Sequence, residues 1–187
     1  MRDFLNVVFR WGYLILATFF LTMAFGGMEV GYPGFATAQG STPWGPALIA
    51  INSIGSAIGG IVYGGMHLRT RVERQLPLLL ALFALPLFVH AVLSSLFWMA
   101  PWALVAGVLI APSMTAVTMI ISMHAPAKYA TEAFTWSSTA IVIGIGAGMA
   151  ISGTLVERIG PSAAFAFAAL SALLAGALAL RVARAHG

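Results

Sequence analysis

Very few residues in this chain could do chemistry, and the first of them is Glu29. It sits inside a long apolar stretch, TFFLTMAFGGMEVGYPGF, with Gly26 and Pro33 three and four residues away on the same helical face. A carboxylate inside a membrane span is costly, so it is read as functional: it binds a solute or carries a proton. The alternative is a carboxylate at the wet mouth of a helix, touching a polar group of its neighbour. At about 1.5 Å per residue, Glu29 lies roughly 24 Å along a helix beginning at Tyr13.

Other polar groups are small and neutral. Asn52, Ser53 and Ser56 lie on a second apolar run, Ser113, Thr115 and Thr118 follow the helix-breaking Pro112, and Ser137, Ser138 and Thr139 lie on a fifth. Asn52, Ser113, Thr115 and Thr118 join Glu29 as the expected substrate or proton pathway. Proline frees a backbone carbonyl where hydroxyls can meet it, as in a helix that lines a wet cavity. The same side chains can equally bind a neighbouring helix. Glu132, beside Thr131 at the start of the fifth run, suits a helix N-terminus, a pair with Lys128, or a gate. His90 titrates in a useful range, but it lies four residues after Pro86 in the most apolar run, so a structural hydrogen bond is expected of it.

The enzymatic readings are weaker. An intramembrane serine protease needs a serine and a histidine within reach of one another. Gly55, Ser56 and Ala57 echo the required turn only faintly, and the last apolar run has no histidine. His67, His90, His124 and His186 are scattered without metal-ligand spacing, so no metal, cofactor or catalytic residue is expected, and the chain is not expected to be an enzyme. The Asn-Pro-Ala turn of a paired half-helix channel is absent.

The elements that must position these residues are helices in a bilayer. The 187 residues are 60% hydrophobic and 7% charged, with a mean hydropathy of +0.97, more apolar surface than a soluble fold of this length can hide. Six runs are each near the roughly 20 residues that a spanning helix needs: 13–35, 44–66, 76–95, 102–123, 131–156 and 162–182. They imply one transmembrane bundle over 13–182, flanked by short segments at 1–12 and 183–187. A cleaved signal peptide ending near Ala36, Thr37 and Ala38 is disfavoured, because the first run is about twice the usual length and contains Glu29. Zero cysteines exclude a disulfide scaffold.

Basic residues fix the expected orientation. With both termini on one side, that side collects Arg2, Arg10, Arg69, Arg71, Arg74, Lys128, Arg181 and Arg184, and the other holds Arg158. Excess base marks cytoplasmic loops, so both termini are expected in the cytoplasm of a multi-pass inner-membrane protein. The arginines of the second loop suit topology or anionic lipid heads rather than nucleic acid. Trp44, Trp98 and Trp102 fall near span ends, as interfacial anchors do.

The runs also differ in kind, with a period of three. The second holds Gly55, Gly59, Gly60, Gly64 and Gly65 and the fifth Gly144, Gly146, Gly148 and Gly153, small residues that let helices approach. The third and sixth are Leu, Ala and Phe, as expected of lipid-facing helices, and the first and fourth carry prolines and polar groups. The order cavity, contact, lipid, repeated once, predicts an all-α integral membrane fold of six helices arranged as a three-plus-three inverted repeat.

Three stretches carry a family resemblance. IAPSMTAV (110–117) is similar to the tenth helix of the major facilitator superfamily, TEAFTWSSTAIVIGIGAGMAISGTLVERIG (131–160) resembles its eleventh helix and following loop, and GGIVYGGMHLRTR (59–71) looks like its degenerate loop between the eighth and ninth helices. Tyr63 and Gly64 stand where the fuller loop motif has an aspartate. The resemblance is to the C-terminal six-helix half of such transporters. It implies secondary transport of a small organic solute by alternating access, proton-coupled, with a second six-helix half as partner: another copy or a separate chain. Phe19, Phe20, Phe25, Phe35 and Met114 lean the expected solute toward an amphipathic or apolar one. The rival reading is a non-transporting six-helix subunit or scaffold, or a fragment of a transporter.

Overall fold

The computed structural model describes residues 2–66, 70–125 and 127–184. Six α-helices account for nearly all of them: α1 (Arg2–Ala38), α2 (Trp44–Gly65), α3 (Val72–Val92), α4 (Leu96–His124), α5 (Ala130–Arg158) and α6 (Pro161–Arg184), with one 3-10 turn at Ala127–Tyr129. All six are long and apolar enough to cross a membrane, and no strand occurs among the described residues. The chain is an all-α, multi-pass membrane protein. Four of the six expected spans lie within longer helices, because a helix continues past the hydrocarbon that hydropathy detects; α2 stops at Gly65, one residue short of the expected 44–66, and α3 starts four residues before the expected 76–95 and ends three short of it. Residues 2–10 are helical and continuous with α1. Arg69, His67 and His186 lie outside the described residues.

α1 packs along α5 and α6, α4 along α2 and α3, and α3 against α6. Glycine sets the closest of these approaches. A Cβ on Gly26 of α1 would collide with the carbonyl oxygen of Ile145 and the amide of Met149 in α5; one on Gly148 would strike the carbonyl of Met23. The α4–α2 contact repeats this motif. There a Cβ on Gly107 would meet the carbonyl of Asn52 and the amide of Ser56, and one on Gly55 the carbonyl of Leu104. The spacing matches too: Gly26 follows Met23 by three residues as Gly107 follows Leu104, and Gly148 follows Ile145 as Gly55 follows Asn52. With no side chains between them, the backbones gain contact that apolar lipid cannot supply. Gly146 and Gly153, of the same glycine run, have open space where a Cβ would go.

The third and sixth helices are not simply lipid-facing. α6 turns Ala164, Ala168, Ala172, Ala175 and Ala179 fully inward, and α3 buries Leu76, Leu80, Phe83 and Leu87. α2 and α5 are instead the most open, with Ile54, Ile58 and Ile61 of one and Trp136, Val142 and Ile143 of the other exposed. The difference is one of side-chain size: alanine along one stripe lets a helix bury that stripe as glycine does, while leucines such as Leu170, Leu173 and Leu174 remain on the outside.

Candidate functional site

A cavity of about 310 Å³ opens among α1, α2, α4 and α5. Glu29 and Asn52 both line it, so the structure brings together two residues that the sequence placed on one pathway. Ser53 and Ser56 join them from α2, Phe25 and Tyr32 from α1, and Ile110, Ile145 and Met149 close the other side. Glu29 is exposed, and among the described residues it has no ion-pair partner. It also borders a groove toward the α1 C-terminus, lined by Pro33, Thr37 and Glu157. The carboxylate therefore lies where the inner cavity meets an open path to one end of the bundle.

Asn52 is held rigidly. Its side-chain amide donates to the carbonyl of Ala103 in α4 at 2.9 Å and to the hydroxyl of Tyr32 at 3.5 Å. Tyr32, almost wholly buried, reaches on to Nε2 of His90 at 3.4 Å, and the other ring nitrogen of His90 bonds the carbonyl of Pro86. A polar chain thus runs from the cavity wall through α1 to α3. The structural hydrogen bond expected of His90 is present, made to Pro86's own carbonyl rather than to the one freed a turn earlier. Its link to Tyr32 had no signal in the sequence, since the two residues are 58 apart.

Ser113, Thr115 and Thr118 do not line the cavity. α4 runs unbroken through Pro101 and Pro112. Ser113 is fully buried and bonds back to Leu109 at 2.7 Å, and Thr118 bonds back to Met114 at 3.0 Å. Thr115 lines a smaller pocket beside Tyr63 and Gln75. The carbonyl that Pro112 frees, that of Val108, is met by Gly59 of α2 and not by a hydroxyl. Ile110 is what α4 presents to the cavity.

Glu132 and Lys128 do not pair, among the described contacts, and the cap of α5 at Tyr129 has no side-chain hydrogen bond. Glu132 is exposed in the first turn of α5, where the helix dipole favours a carboxylate, and Lys128 lies over the Tyr129 ring at 5.3 Å. The sequence missed a different pair. Glu73 Oε1 is 3.3 Å from His124 Nε2 and ties the start of α3 to the end of α4. Ser138 and Thr139 line a shallow groove formed by α5 alone, whereas Ser137 is buried. No group of three or more metal-ligating side chains occurs among the described residues.

Comparison with protein-family models, with curated proteins and with solved structures gives no match in any of the three.

Proposed function

We propose that this chain is one six-helix half of a secondary transporter, similar in kind to the C-terminal half of a major facilitator, and that it moves a small organic solute by proton-coupled alternating access. The observation that carries this reading is Glu29: a carboxylate within a span, exposed, on the wall of a cavity between four helices. Nothing in lipid packing accounts for a charge in that place.

Two further features support it. Exchanging α1 with α4, α2 with α5 and α3 with α6 maps the main helix contacts onto one another, and it carries the Gly26–Gly148 crossing onto the Gly107–Gly55 crossing. That is the pattern an inverted repeat of three helices gives. The uncovered faces of α2 and α5 flank the cavity, where a second half has to sit if two bundles are to rock about a shared site. The loop arginines favour an inner-membrane orientation with both termini in the cytoplasm.

The test is the mass of the full chain in nanodiscs by native mass spectrometry, followed by solute flux in proteoliposomes. Two copies, or one copy with a second six-span chain, together with flux is the expected result. A stable monomer without flux would make the chain a non-transporting subunit.

A further inference from the structure

The cavity wall is rich in hydrogen-bond acceptors, and of its polar side chains only Ser56 keeps a hydroxyl with no protein partner among the described contacts. Glu29 contributes its carboxylate. Pro33, four residues on, has no N–H to give, so the backbone carbonyl of Glu29 also lacks its α-helical donor. Asn52 spends its side-chain N–H groups on Ala103 and Tyr32, which leaves its oxygen, an acceptor. The hydroxyl of Tyr32 is spent as well: the Pro86 carbonyl can only accept, so His90 Nδ1 carries the ring proton, and Nε2 of the neutral ring takes the Tyr32 O–H. Ser53 gives its proton to Ile49 at 2.9 Å.

The opposite wall is apolar, and the matched crossings show how sharply the two differ. Glu29 and Ile110 each lie three residues after a crossing glycine, Gly26 and Gly107; Asn52 and Ile145 each lie three before one, Gly55 and Gly148; Ser56 and Met149 each lie one after. All six line the cavity. At every matched pair the first three helices contribute the polar member and the last three the apolar one.

Taking the chain as half of a transporter, we propose that this cavity takes an amphipathic monocation that carries N–H donors: a primary or secondary ammonium on a short apolar or aromatic body. Glu29 neutralises the charge, the acceptors around it take the N–H groups, and Ile110, Ile145 and Met149 cover the body. An anion meets the carboxylate of Glu29, and a quaternary ammonium has no proton for the acceptors. A volume of about 310 Å³ suits a single ring with a short chain.

The test is equilibrium binding of radiolabelled 2-phenylethylammonium to the full chain in nanodiscs, with 2-phenylethanol and phenylacetate as competitors that keep the ring and change the head group. Saturable binding is expected, with unlabelled ammonium competing at least tenfold better than the alcohol and phenylacetate not competing. Glu29→Gln should weaken the ammonium tenfold or more, and Glu29→Asp should keep the order of the three. Absence of saturable binding, equal competition by the alcohol or the acid, or undiminished binding to Glu29→Gln overturns the assignment. The competition series on the unaltered chain decides the matter even if a variant misfolds. Flux is read separately in proteoliposomes: flux without ammonium preference removes this ligand and leaves transport standing, whereas ammonium binding without flux keeps the ligand and removes transport.

Discussion

The hydroxyl of Tyr32 lies 3.4 Å from Nε2 of His90, and the ring of Phe165 packs against both, its centroid 5.4 Å from one and 5.1 Å from the other. Three helices, α1, α3 and α6, therefore meet at one polar contact wrapped in aromatic surface. His90 is fully buried, and its position in the apolar α3 is explained by this joint.

Because the hydroxyl bond and the ring packing are separable, their sizes can be compared. Interhelical hydrogen bonds in membrane proteins average only about 0.6 kcal/mol, while truncating a large buried side chain costs about 2–5 kcal/mol. Tyr32→Phe removes two such bonds, one with Asn52 and one with His90, and should lower stability by roughly 1–1.5 kcal/mol, and His90→Ala by about 2–5 kcal/mol. Reversible unfolding in mixed detergent micelles measures both. Equal losses would mean that the hydrogen bond, not the packing, holds the joint.

Two sets of glycines differ in what a methyl group would touch. Gly26→Ala, Gly55→Ala, Gly107→Ala and Gly148→Ala each drive a carbon into a neighbouring backbone, and overpacking of this kind costs about 1–3 kcal/mol. Gly146→Ala and Gly153→Ala meet nothing within 4 Å, and should be neutral or stabilising by up to about 1 kcal/mol, since alanine is the better helix former. The same unfolding measurement checks the set, and a uniform response would remove the crossing glycines from their role.

Ser152 is fully buried in α5, and its hydroxyl has no hydrogen-bond partner among the described residues. An orphaned hydroxyl costs about 1–3 kcal/mol. Ser152→Ala should therefore leave stability unchanged or raise it, and a loss above about 1 kcal/mol would reveal a bond that the hydroxyl makes in the membrane.

For transport, Glu29→Gln keeps the size of the side chain and removes its charge. Proton-driven solute uptake into proteoliposomes should fall to background, while the amount of protein inserted stays the same. Full uptake by the variant would take Glu29 out of the mechanism.

The six spans were legible because hydropathy and length alone decide what crosses a bilayer. Glu29 and Asn52 were legible for a related reason: polar side chains in such runs are rare enough to stand out. The fourth helix was misleading. Proline at 112 suggested a break lined by hydroxyls, yet Ser113 and Thr118 bond within their own helix and Gly59 covers the freed carbonyl. The choice among glycines was hidden as well, since Gly144, Gly146 and Gly148 read alike until the rotation of α5 about its axis is known. The same holds for His90, whose partner on α1 is set by tertiary packing and leaves no local trace.

The two glycine crossings have one more consequence. They hold the bundle together through backbone atoms, whereas Glu29, Ile110, Asn52, Ile145, Ser56 and Met149 meet the cavity through side chains. Scaffold and specificity are thereby written largely in different atoms: Asn52, Ile145, Ser56 and Met149 give their backbone to the crossings and their side chains to the cavity. Drift at the lining side chains can change the size and polarity of the cavity while the helices stay in register, so descendants of such a chain are free to diverge in the cavity long before they diverge in architecture.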